Sequence, residues 1–540
     1  MNKIEKLLIE RGFNLAKLKN DTTTYKVTNM THAAAIIKKA IADGRHIYVV
    51  ADYDCDGVMS GCILYSDFSY LGADFTIRFP RKMSEGYGIS EKIVGEIPDG
   101  SLVVTIDNGI AAIEAIDLAH SRGMDVVILD HHQIRGDGLI PTAECIVDPH
   151  IYKEEGEFEH YCGAGLAYML TKELDLPEKM VNKAMVLAAI ATLQDVVPLL
   201  DDNRNIVKNG LRMLNEKAVD LPGIYSLCGA LKLIPSTDIT TAISEEDVSF
   251  QIGPCVNAMG RMLDDGARMA FEYLMHYDVH GEDGIATIIE WNQKRKDETT
   301  KQQNILEIVA ESVKTPRTTC MVLYANSLHE GIIGINAARV VEKYNMPAIV
   351  LTDSEDGMLK GSARSVDGIN MKEALDTVAE HVYKYGGHAG AAGLTIKRES
   401  LKDFTKAINA AIPKASVNHN TWQYDIEINE DEIPAMYEAV REYAPYGEEF
   451  AAPIFRVNHY NLVKNYGKYF RFIGDTGVSL NGAHSEAVTF ALKDKFKQIG
   501  SPLNLNIVGT LGYSNFSKRP QVMINDLQPI VKQQEAGFLL

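Results

Sequence analysis

The sequence predicts an α/β fold in which a parallel sheet is joined by a long helix to a second α/β unit and a small C-terminal β-barrel. Three observations predict this fold. Short apolar runs alternate with helical patterns over the first 150 residues, a long polar segment with few breakers follows mid-chain, and short strand-like segments fill the part beyond about residue 420. A length of 540 residues also exceeds what one hydrophobic core usually supports, so several domains are expected.

Five runs rich in β-branched residues predict the strands of the parallel sheet. They lie at 46–51, 75–80, 101–106, 125–129 and 145–147. Helical patterns such as 57–71 and 110–122 separate these runs, and this alternation places helices on both faces of the sheet. In sheets of this kind the functional groups collect at the carboxyl ends of the strands.

The rest of the chain predicts a division into further domains. Residues 160–280 are mainly helical in pattern, and the polar segment 281–314 is typical of a helix that bridges domains. Strand patterns at 319–324 and 347–352, with a helix at 332–344, indicate the second α/β unit. The expected divisions are 1–45 as an N-terminal segment, then 46–280, 281–315, 316–415 and 416–540.

Charge and cysteine content exclude some classes of protein. A formal charge of −19 argues against general electrostatic coating of DNA, so any contact with nucleic acid must be local. Alternatively, the acidity only maintains solubility. The seven cysteines form no disulfide framework or zinc spacing, and no apolar stretch is long enough for a membrane span. We therefore expect a soluble cytoplasmic protein with reduced thiols and no membrane contact.

Three aspartates follow the first predicted strand, in the segment VVADYDCDG. Asp52, Asp54 and Asp56 alternate along the chain, so their carboxylates can face one site. Packing like charges together is costly unless a cation neutralises them, and carboxylate oxygens suit Mg²⁺ or Mn²⁺. The alternative is a solvated acidic turn with Asp56 at its corner.

Acidic and imidazole groups recur at the ends of later strands. Asp107 follows the third run, and Asp130, His131 and His132 follow the fourth. Each alone is compatible with a helix N-cap or a structural histidine, but strand ends of one parallel sheet meet at one edge. Asp195 lies within an apolar stretch and needs a partner there, which a metal would supply. This set predicts metal-assisted hydrolysis of a phosphate ester or anhydride.

The motifs that carry these residues resemble a known family. DYDCDG, TIDNG, DHH and LQDVVPL, in this order, resemble the four motifs of the DHH phosphoesterase superfamily. The later segments GPCVNAMGRM, HEGIIGINAARV, GSARS and GGHAGAAGLTI resemble the bacterial single-strand-specific exonucleases within it. The resemblance spans roughly residues 45–535.

This resemblance implies a 5'-to-3' exonuclease on single-stranded DNA that uses two manganese or magnesium ions. It implies a DHH domain, a connecting helix, a DHH-associated domain and an OB-fold. We expect a monomer to which a helicase and a single-strand-binding protein deliver the substrate. Two alternatives stay open: a DHH enzyme acting on oligoribonucleotides or cyclic dinucleotides, and a non-catalytic replication factor on the same fold.

Motif matching also implies the roles of individual residues. The implied metal ligands are Asp54, Asp56, Asp107, His131 and Asp195. Asp107 would bridge the two ions and act in catalysis with His131, while His132 would face the scissile phosphate. Asp52 is a further possible ligand, or it orients other ligands as Asp130 does. Many superfamily members carry a histidine ligand where this chain has Val50, so occupancy of both metal sites is an open question.

Other residues are candidates for contact with the DNA strand. The phosphate-binding candidates are Asn257, Arg261, Arg364 and His388, and the candidates in the basic C-terminal part are Lys468 and Arg471. The alternatives are structural salt bridges for the arginines and tight helix packing for the glycines around His388. From 451 to 520 there are nine basic residues against three acidic ones, interleaved with aromatic rings. Such a mixture suits a platform for unpaired bases, although rings in a small barrel are mostly core.

Overall fold

The computed structural model describes residues 1–19, 26–136, 138–238, 241–354, 357–413, 423–473, 476–514 and 517–530. The chain divides into two compact units. The first unit comprises Met1–Arg78, Gly88–Gly253 and Asn420–Leu540, and the second comprises Phe79–Tyr87 and Pro254–His419. No helix in the described ranges combines the length and the apolar content that crossing a bilayer requires.

The N-terminal part of the first unit contains the predicted parallel sheet. Its strands are β1 (Ile47–Ala51), β2 (Phe75–Arg78), β3 (Leu102–Ile106), β4 (Asp125–Leu129) and β5 (Cys145–Val147). The strand order is β2-β1-β3-β4-β5, and every neighbouring pair is parallel. Strands β1 and β3 are buried throughout, which explains their continuous apolar runs.

Helices cover both faces of this sheet. The helices of this part of the chain are α1 (Lys3–Glu10), α2 (Leu15–Lys19), α3 (Met30–Ala42), α4 (Cys55–Leu71), α5 (Glu91–Glu96), α6 (Ile113–Ser121), α7 (Gly163–Glu173), α8 (Glu178–Gln194), α9 (Asp201–Glu216), α10 (Pro222–Ala230) and α11 (Glu245–Asp247), followed by a π-helical turn at Val248–Ile252. Helices α5 and α6 share a core with Tyr48, Val50 and Val103. Helix α4 contacts β1 and β3, α7 contacts β3 and β4, and α8 packs on both helices. The doubly covered sheet confirms the predicted α/β class.

The second unit is a smaller α/β arrangement. Its elements are α12 (Gly253–Met262), α13 (Gly266–Met275), α14 (Tyr277–Val313), β6 (Met321–Tyr324), α15 (Ile333–Tyr344), β7 (Ala348–Asp353), β8 (Leu359–Arg364), α16 (Met371–Thr377), β9 (Lys384–Gly387), β10 (Ala391–Ile396) and α17 (Leu401–Ala411). The sheet order is β6-β7-β8-β10-β9, and only β6 and β7 run parallel. The long predicted helix is present, although Gly281 leaves helical geometry and kinks it.

The glycine-rich stretch of this unit lies in two neighbouring strands. Gly386 and Gly387 lie in β9 and Gly393 lies in β10, so the stretch forms an antiparallel hairpin. A side chain on Gly387 would collide with Ala391 and Ala392 of the opposite strand. The glycines therefore allow the backbones of two strands to approach each other closely. The sequence pattern alone does not indicate this role.

The C-terminal part of the first unit is a seven-stranded sheet with two helices. The strands are β11 (Ile426–Asn429), β12 (Phe455–Asn461), β13 (Phe470–Ile473), β14 (Gly477–Asn481), β15 (Glu486–Thr489), β16 (Asn504–Ser514) and β17 (Arg519–Pro529), and the helices are α18 (Ile433–Arg441) and α19 (Lys493–Gln498). The order is β11-β12-β16-β17-β15-β14-β13. Helix α1 packs into the same core through Ile4, Leu7 and Leu8.

Candidate active site

Aspartates follow four adjacent strands of the parallel sheet at the point where each strand ends. Asp52 follows β1, Asp107 follows β3, Asp130 follows β4 and Asp148 follows β5. None of these four residues is more than 2% exposed. The edge of the sheet therefore gathers carboxylates away from water, as the sequence predicts for three of the four.

The N-terminus of α7 holds the carboxylate of Asp56. The Gly163 N–H donates to Asp56 Oδ2 at 2.6 Å, and the Ala164 N–H donates to Asp56 Oδ1 at 2.7 Å. A helix N-terminus stabilises a negative charge, so this contact fixes the carboxylate. A Cβ on Gly163 would lie 2.5 Å from the Asp107 Cβ, so only glycine lets α7 approach both aspartates.

Asp54 caps the helix that follows β1. Its Oδ1 accepts from the Asp56 N–H at 3.0 Å and from the Gly57 N–H at 3.3 Å, which starts α4. A side chain on Gly57 would collide with the Asp52 carbonyl. The DYDCDG segment thus forms a tight turn from β1 into α4. This turn brings Asp52, Asp54 and Asp56 to the cluster of acidic side chains.

His131 lies among three of these carboxylates. Its Nε2 is 3.0 Å from Asp107 Oδ1, 3.7 Å from Asp56 Oδ2 and 3.8 Å from Asp195 Oδ2. Burial and the neighbouring charge of His132 lower the pKa of His131 to about 3. The imidazole is therefore neutral near neutral pH, which leaves a nitrogen lone pair for a cation.

His132 forms a pair with Asp130. Its Nδ1 donates to Asp130 Oδ1 at 2.8 Å, and Asp130 also accepts from the backbone N–H groups of Ile110 and His131. Burial by itself lowers the pKa of His132, but the hydrogen bond and charge of Asp130 outweigh it and raise the pKa to about 9. Because 41% of the side chain is exposed, His132 offers a positive charge to a ligand at the mouth of the site.

The carboxylates of the site are buried close together and repel one another. Burial and the charge of Asp54 raise the pKa of Asp56 to about 6. Burial and the charge of Asp56 raise the pKa values of Asp107 and Asp195 well above their ordinary range. Packing these anions together without water is unfavourable unless cations neutralise them.

Among the described residues, three groups of side chains could each hold a metal ion. They are Asp52, Asp54 and Asp107; Asp56, His131 and Asp195; and Asp107, His131 and His132. Within each group the ligand atoms lie within 4.8 Å of one another. Asp107 and His131 belong to two groups each, so neighbouring ions could share them. A donor set of carboxylate oxygens with imidazole nitrogen fits Mn²⁺ or Mg²⁺.

Val50 contributes no donor side chain to this cluster. It is fully buried in the core that the sheet forms with α5 and α6. Its carbonyl accepts a hydrogen bond from Asn108 Nδ2 at 3.0 Å. Any cation in the cluster would therefore be held by the aspartates and His131 without a ligand from this position.

Asn108 and Asp148 are two residues of the site that the sequence pattern did not predict. Asn108 Nδ2 donates to the carbonyls of Val50 and Ile106, and its Oδ1 accepts from the Ile89 N–H at 3.0 Å. It therefore ties the ends of β1 and β3 together. Asp148 accepts from the His150 N–H at 3.0 Å, and burial with the charge of Asp130 raises its pKa to about 7. Asp148 directly follows the fifth apolar run, and this place in the sequence could have predicted that it lies at the site.

The predicted phosphate contacts lie in the second unit. Arg364 ends β8, where its Nη1 donates to Ser362 Oγ at 3.1 Å and to the Ala363 carbonyl at 2.8 Å. Burial and the nearby charge of Arg261 lower the pKa of Arg364. Within the described ranges neither arginine forms an ion pair with a carboxylate, so the salt-bridge alternative has no support. His388 is exposed in the turn between β9 and β10, and Asn257 lies half-buried on α12.

The C-terminal sheet uses some of its predicted contact residues internally. Lys468 and Arg471 are both exposed, but Arg471 also pairs with the buried Glu486 at 3.3 Å. The ring of Phe472 is 42% exposed, and Lys493 and Lys497 each lie 5.1 Å from its centroid. Tyr460 is fully buried core, while Tyr466 is 98% exposed. Phe516, another ring in the basic segment, lies outside the described residues.

Comparisons with known proteins agree with this architecture. Family models match as "DHH family, N-terminal domain" at 46–192, "DHHA1 domain" at 317–414 and "RecJ OB domain" at 424–526. The single-stranded-DNA-specific exonuclease RecJ of Bacillus subtilis is 34% identical over 425 residues, which cover 75% of this chain and 52% of that relative. The chain thus spans about half the length of that relative.

Two solved structures resemble the fold. The manganese complex of RecJ from Thermus thermophilus matches with a TM-score of 0.78 and 23% identity, covering 98% of this chain and 76% of that one. A second structure, exonuclease RecJ bound to manganese, matches with a TM-score of 0.61 and 27% identity, covering 73% of this chain and 97% of that one.

The geometry of the site suits the metal-assisted hydrolysis of a phosphate ester. The carboxylates at the strand ends, the neutral His131 and the cationic His132 are the parts that such chemistry requires. The chain carries an N-terminal domain of the DHH family, a DHHA1 domain and an OB domain of the RecJ type. The resemblance seen in the four sequence motifs is thereby confirmed.

Proposed function

We propose that the chain is a single-strand-specific DNA exonuclease that works from the 5' end and acts in DNA recombination and repair. One observation carries the proposal: Asp56, Asp107, His131 and Asp195, which are distant in sequence, meet in one largely buried cluster suited to divalent cations. The presence of an OB domain supports a single strand as the substrate, since OB folds bind unpaired bases and backbone phosphates.

The residues of the cluster divide into ligands and supports. Two Mn²⁺ or Mg²⁺ ions would be held by Asp54, Asp56, Asp107, His131 and Asp195, with Asp52 as a further ligand or support. Asp107 belongs to two of the ligand groups and could therefore serve both ions. When bound, such ions activate water and neutralise the charge that develops on the phosphate. The amides of α7 hold the Asp56 carboxylate at a fixed place, so the site needs little rearrangement to accept a cation.

The two histidines take different roles because their surroundings differ. His131 stays neutral and serves as a ligand, since its pKa is about 3. His132 stays protonated, since its pKa is about 9, and its exposed part can donate to an oxygen of the scissile phosphate. Asp130 orients His132 and keeps it charged.

Binding of the strand itself is proposed for two further sets of residues. Asn257, Arg261, Arg364 and His388 bind phosphates, and the two arginines suit this because their positive charges lack carboxylate partners in the described part of the chain. Lys468 and Arg471 hold the strand at the C-terminal sheet, where Phe472 offers a ring for stacking.

We also propose that the enzyme is a cytoplasmic monomer supplied by a helicase and a single-strand-binding protein. An enzyme restricted to single strands depends on other proteins to open a duplex and to keep the strand extended. The net charge of −19 supports local rather than general contact with DNA, so delivery by a partner would raise the local concentration of strand ends.

The experiment that tests the function compares four substrates in the presence of Mn²⁺. Single strands labelled at the 5' or the 3' end, a matched blunt duplex and a dinucleotide are incubated with the full chain. We expect rapid release of label from the 5' end only, little cleavage of the duplex and slow cleavage of the dinucleotide. Preference for the dinucleotide would favour the oligonucleotide-degrading alternative, and an absence of hydrolysis on all four would favour the replication factor.

The Asp107→Ala variant is the control for this experiment. Removal of the shared carboxylate should abolish Mn²⁺-dependent hydrolysis, because Asp107 belongs to two of the three ligand groups. Binding of the single strand, measured by fluorescence anisotropy, should persist because the proposed strand contacts are other residues. Undiminished turnover in this variant would exclude the proposed site.

A further inference from the structure

Three consecutive polar residues are buried near the start of α9. Asp202, Asn203 and Arg204 are 1%, 0% and 4% exposed. Buried polar side chains need partners, and residues of these types are seldom fully buried. Together the three contact three stretches of the chain, around residues 160–161, 198 and 443–445, and all of these stretches lie within the first unit. We call Asp202, Asn203 and Arg204 the α9 hub.

One set of contacts leads from the α9 hub to the helix end that holds Asp56. The Tyr161 hydroxyl donates to the Asp202 carboxylate, and Asn203 Nδ2 donates to the His160 carbonyl at 2.6 Å. Tyr161 is itself fully buried. Two residues further along, the amides of α7 begin to hold the Asp56 carboxylate. The hub therefore anchors the chain just before this helix end.

A second contact leads to the loop that carries Asp195. The same Asn203 Nδ2 donates to the Pro198 carbonyl at 3.0 Å. Pro198 lies three residues beyond Asp195 in the short connection between α8 and α9. One amide group of Asn203 thus joins the two stretches of chain that present Asp56 and Asp195 to His131.

A third set of contacts leads to the C-terminal OB domain. Arg204 Nη1 donates to the Pro445 carbonyl at 2.5 Å, and its Nη2 donates to the Tyr443 carbonyl at 2.6 Å. The guanidinium also lies 4.4 Å from the centroid of the Phe450 ring. This segment connects α18 to β12, and a planar guanidinium can bind both carbonyls while stacking on a ring, which lysine cannot do.

We infer that the α9 hub is a positioning device that sets both the cation cluster and the OB domain from one helix end. The inference rests on the proposed function and assigns separate tasks to neighbouring residues. Asn203 holds the aspartates of the cluster in register, and Arg204 holds the OB domain in place to receive a long strand. Mutation of a residue that supports a metal ligand commonly lowers metal affinity or activity, which is the effect that this role predicts for Asn203.

Two variants with a matched control test the inference in the full chain. Asn203→Leu keeps the size of the side chain but removes the amide donor, and Arg204→Met keeps the aliphatic stem but removes the guanidinium. Arg212→Met on the same helix is the control, because Arg212 is 53% exposed and pairs only with Glu216 one turn away among its described contacts. Binding of Mn²⁺ alone is measured by electron paramagnetic resonance, and KM and kcat are measured on short and long single strands.

The expected results separate the two tasks. Asn203→Leu should weaken Mn²⁺ binding by about tenfold or more and lower kcat on both strands. Arg204→Met should leave Mn²⁺ binding unchanged and raise KM for the long strand only, and Arg204→Lys should not restore it. If Asn203→Leu does not fold, Tyr161→Phe removes a single hydroxyl from the same set of contacts and should also weaken Mn²⁺ binding.

Two outcomes would overturn the inference. Variants that behave like Arg212→Met in every measurement would show that the hub does not position the site. An equal loss of thermal stability with identical effects of Asn203→Leu and Arg204→Met on all readouts would show a purely structural role. A wild-type chain that binds Mn²⁺ without degrading single strands would contradict the proposed function, while the Mn²⁺ arm would still test Asn203.

Discussion

Asp107 has an unusual backbone conformation at the end of β3. Its φ of 63° lies in the left-handed region, which aspartate tolerates better than most residues but still at some cost. The carboxylate contacts His131 and lies against Gly163 at the start of α7. This close packing makes the geometry of the cluster sensitive to a single methyl group.

Gly163→Ala should therefore impair the site. The new Cβ would lie 2.5 Å from the Asp107 Cβ, so either α7 or Asp107 must move. We expect Mn²⁺ affinity and kcat to fall by about tenfold or more, as is common for residues that support metal ligands. Gly229→Ala on α10 is the control, because its Cβ would meet nothing within 4 Å. Equal activity of the two variants in a steady-state assay would refute this account of Gly163.

The raised pKa of Asp56 predicts how pH affects metal binding. Its folded-state pKa of about 6 is above the value near 3.9 of an unfolded chain. In the metal-free protein this carboxyl therefore contributes stability that is full below about pH 4 and is lost as pH rises through about 6. A cation binds the deprotonated form, so Mn²⁺ should offset this loss.

The rise in melting temperature on adding Mn²⁺ should consequently be larger at pH 7.5 than at pH 5. Differential scanning fluorimetry at a fixed concentration of Mn²⁺ measures this difference, with Asp107→Ala as the variant that should show little shift at either pH. A larger shift at pH 5 than at pH 7.5 would contradict the assignment of Asp56 as a ligand.

Among the elements, the strands of the parallel sheet were the easiest to predict. All five apolar runs form strands within a few residues of the predicted bounds. The signal is clearest for β1 and β3, because a strand buried on both faces requires an uninterrupted apolar sequence. The meeting of Asp56, Asp107 and His131 followed from this, since parallel strands present their carboxyl ends at one edge. Asn108 escaped prediction because its role depends on carbonyls of two strands that only the fold brings together.

The packing partner of helix α1 cannot be predicted from the local sequence pattern. Its apolar residues predict a helix face but not the partner, and the partner is the core of the C-terminal sheet, more than 400 residues away. The hairpin of glycines and the pairing of Arg471 with Glu486 were missed for the same reason. The predicted domain boundaries stay predictions, and the one at residue 416 falls outside the described residues.

The packing of α1 predicts a difference between two adjacent residues. Leu8 is fully buried in the core of the C-terminal sheet, whereas Ile9 is 48% exposed. Leu8→Ala should lower the free energy of unfolding by about 2–5 kcal/mol, and Ile9→Ala should change it by less than about 1 kcal/mol. Urea titration followed by fluorescence measures both values. Similar losses for the two variants would mean that α1 does not pack as described.

Across the whole molecule, charge is distributed unevenly. The chain carries a net charge of −19, yet the segment 451–520 is basic. Folding uses part of that basic charge internally, because Arg456 pairs with Glu427 and Lys495 pairs with Asp526. Exposed lysines such as Lys468 are available to bind a DNA strand. We therefore expect the complex with single-stranded DNA to neutralise few phosphates.

The dependence of strand binding on salt should reflect this small number of contacts. If Lys468 neutralises one phosphate, Lys468→Ala should make the slope of log Kd against log salt shallower by about 0.7. Lys39→Ala removes the same charge from α3, where Lys39 pairs with Asp43, and should leave the slope unchanged. Anisotropy titrations at several salt concentrations provide both slopes. The same change in slope for the two variants would assign the effect to net charge alone.

The central claim is that aspartates and His131 from separate strand ends and helices bind divalent cations together. Crystals of the full chain soaked in Mn²⁺ and measured at the manganese absorption edge test it most directly. We predict anomalous peaks among Asp54, Asp56, Asp107, His131 and Asp195, with Asp107 in contact with more than one ion when two are present. A structure without manganese at this cluster, or with manganese bound elsewhere only, would contradict the account.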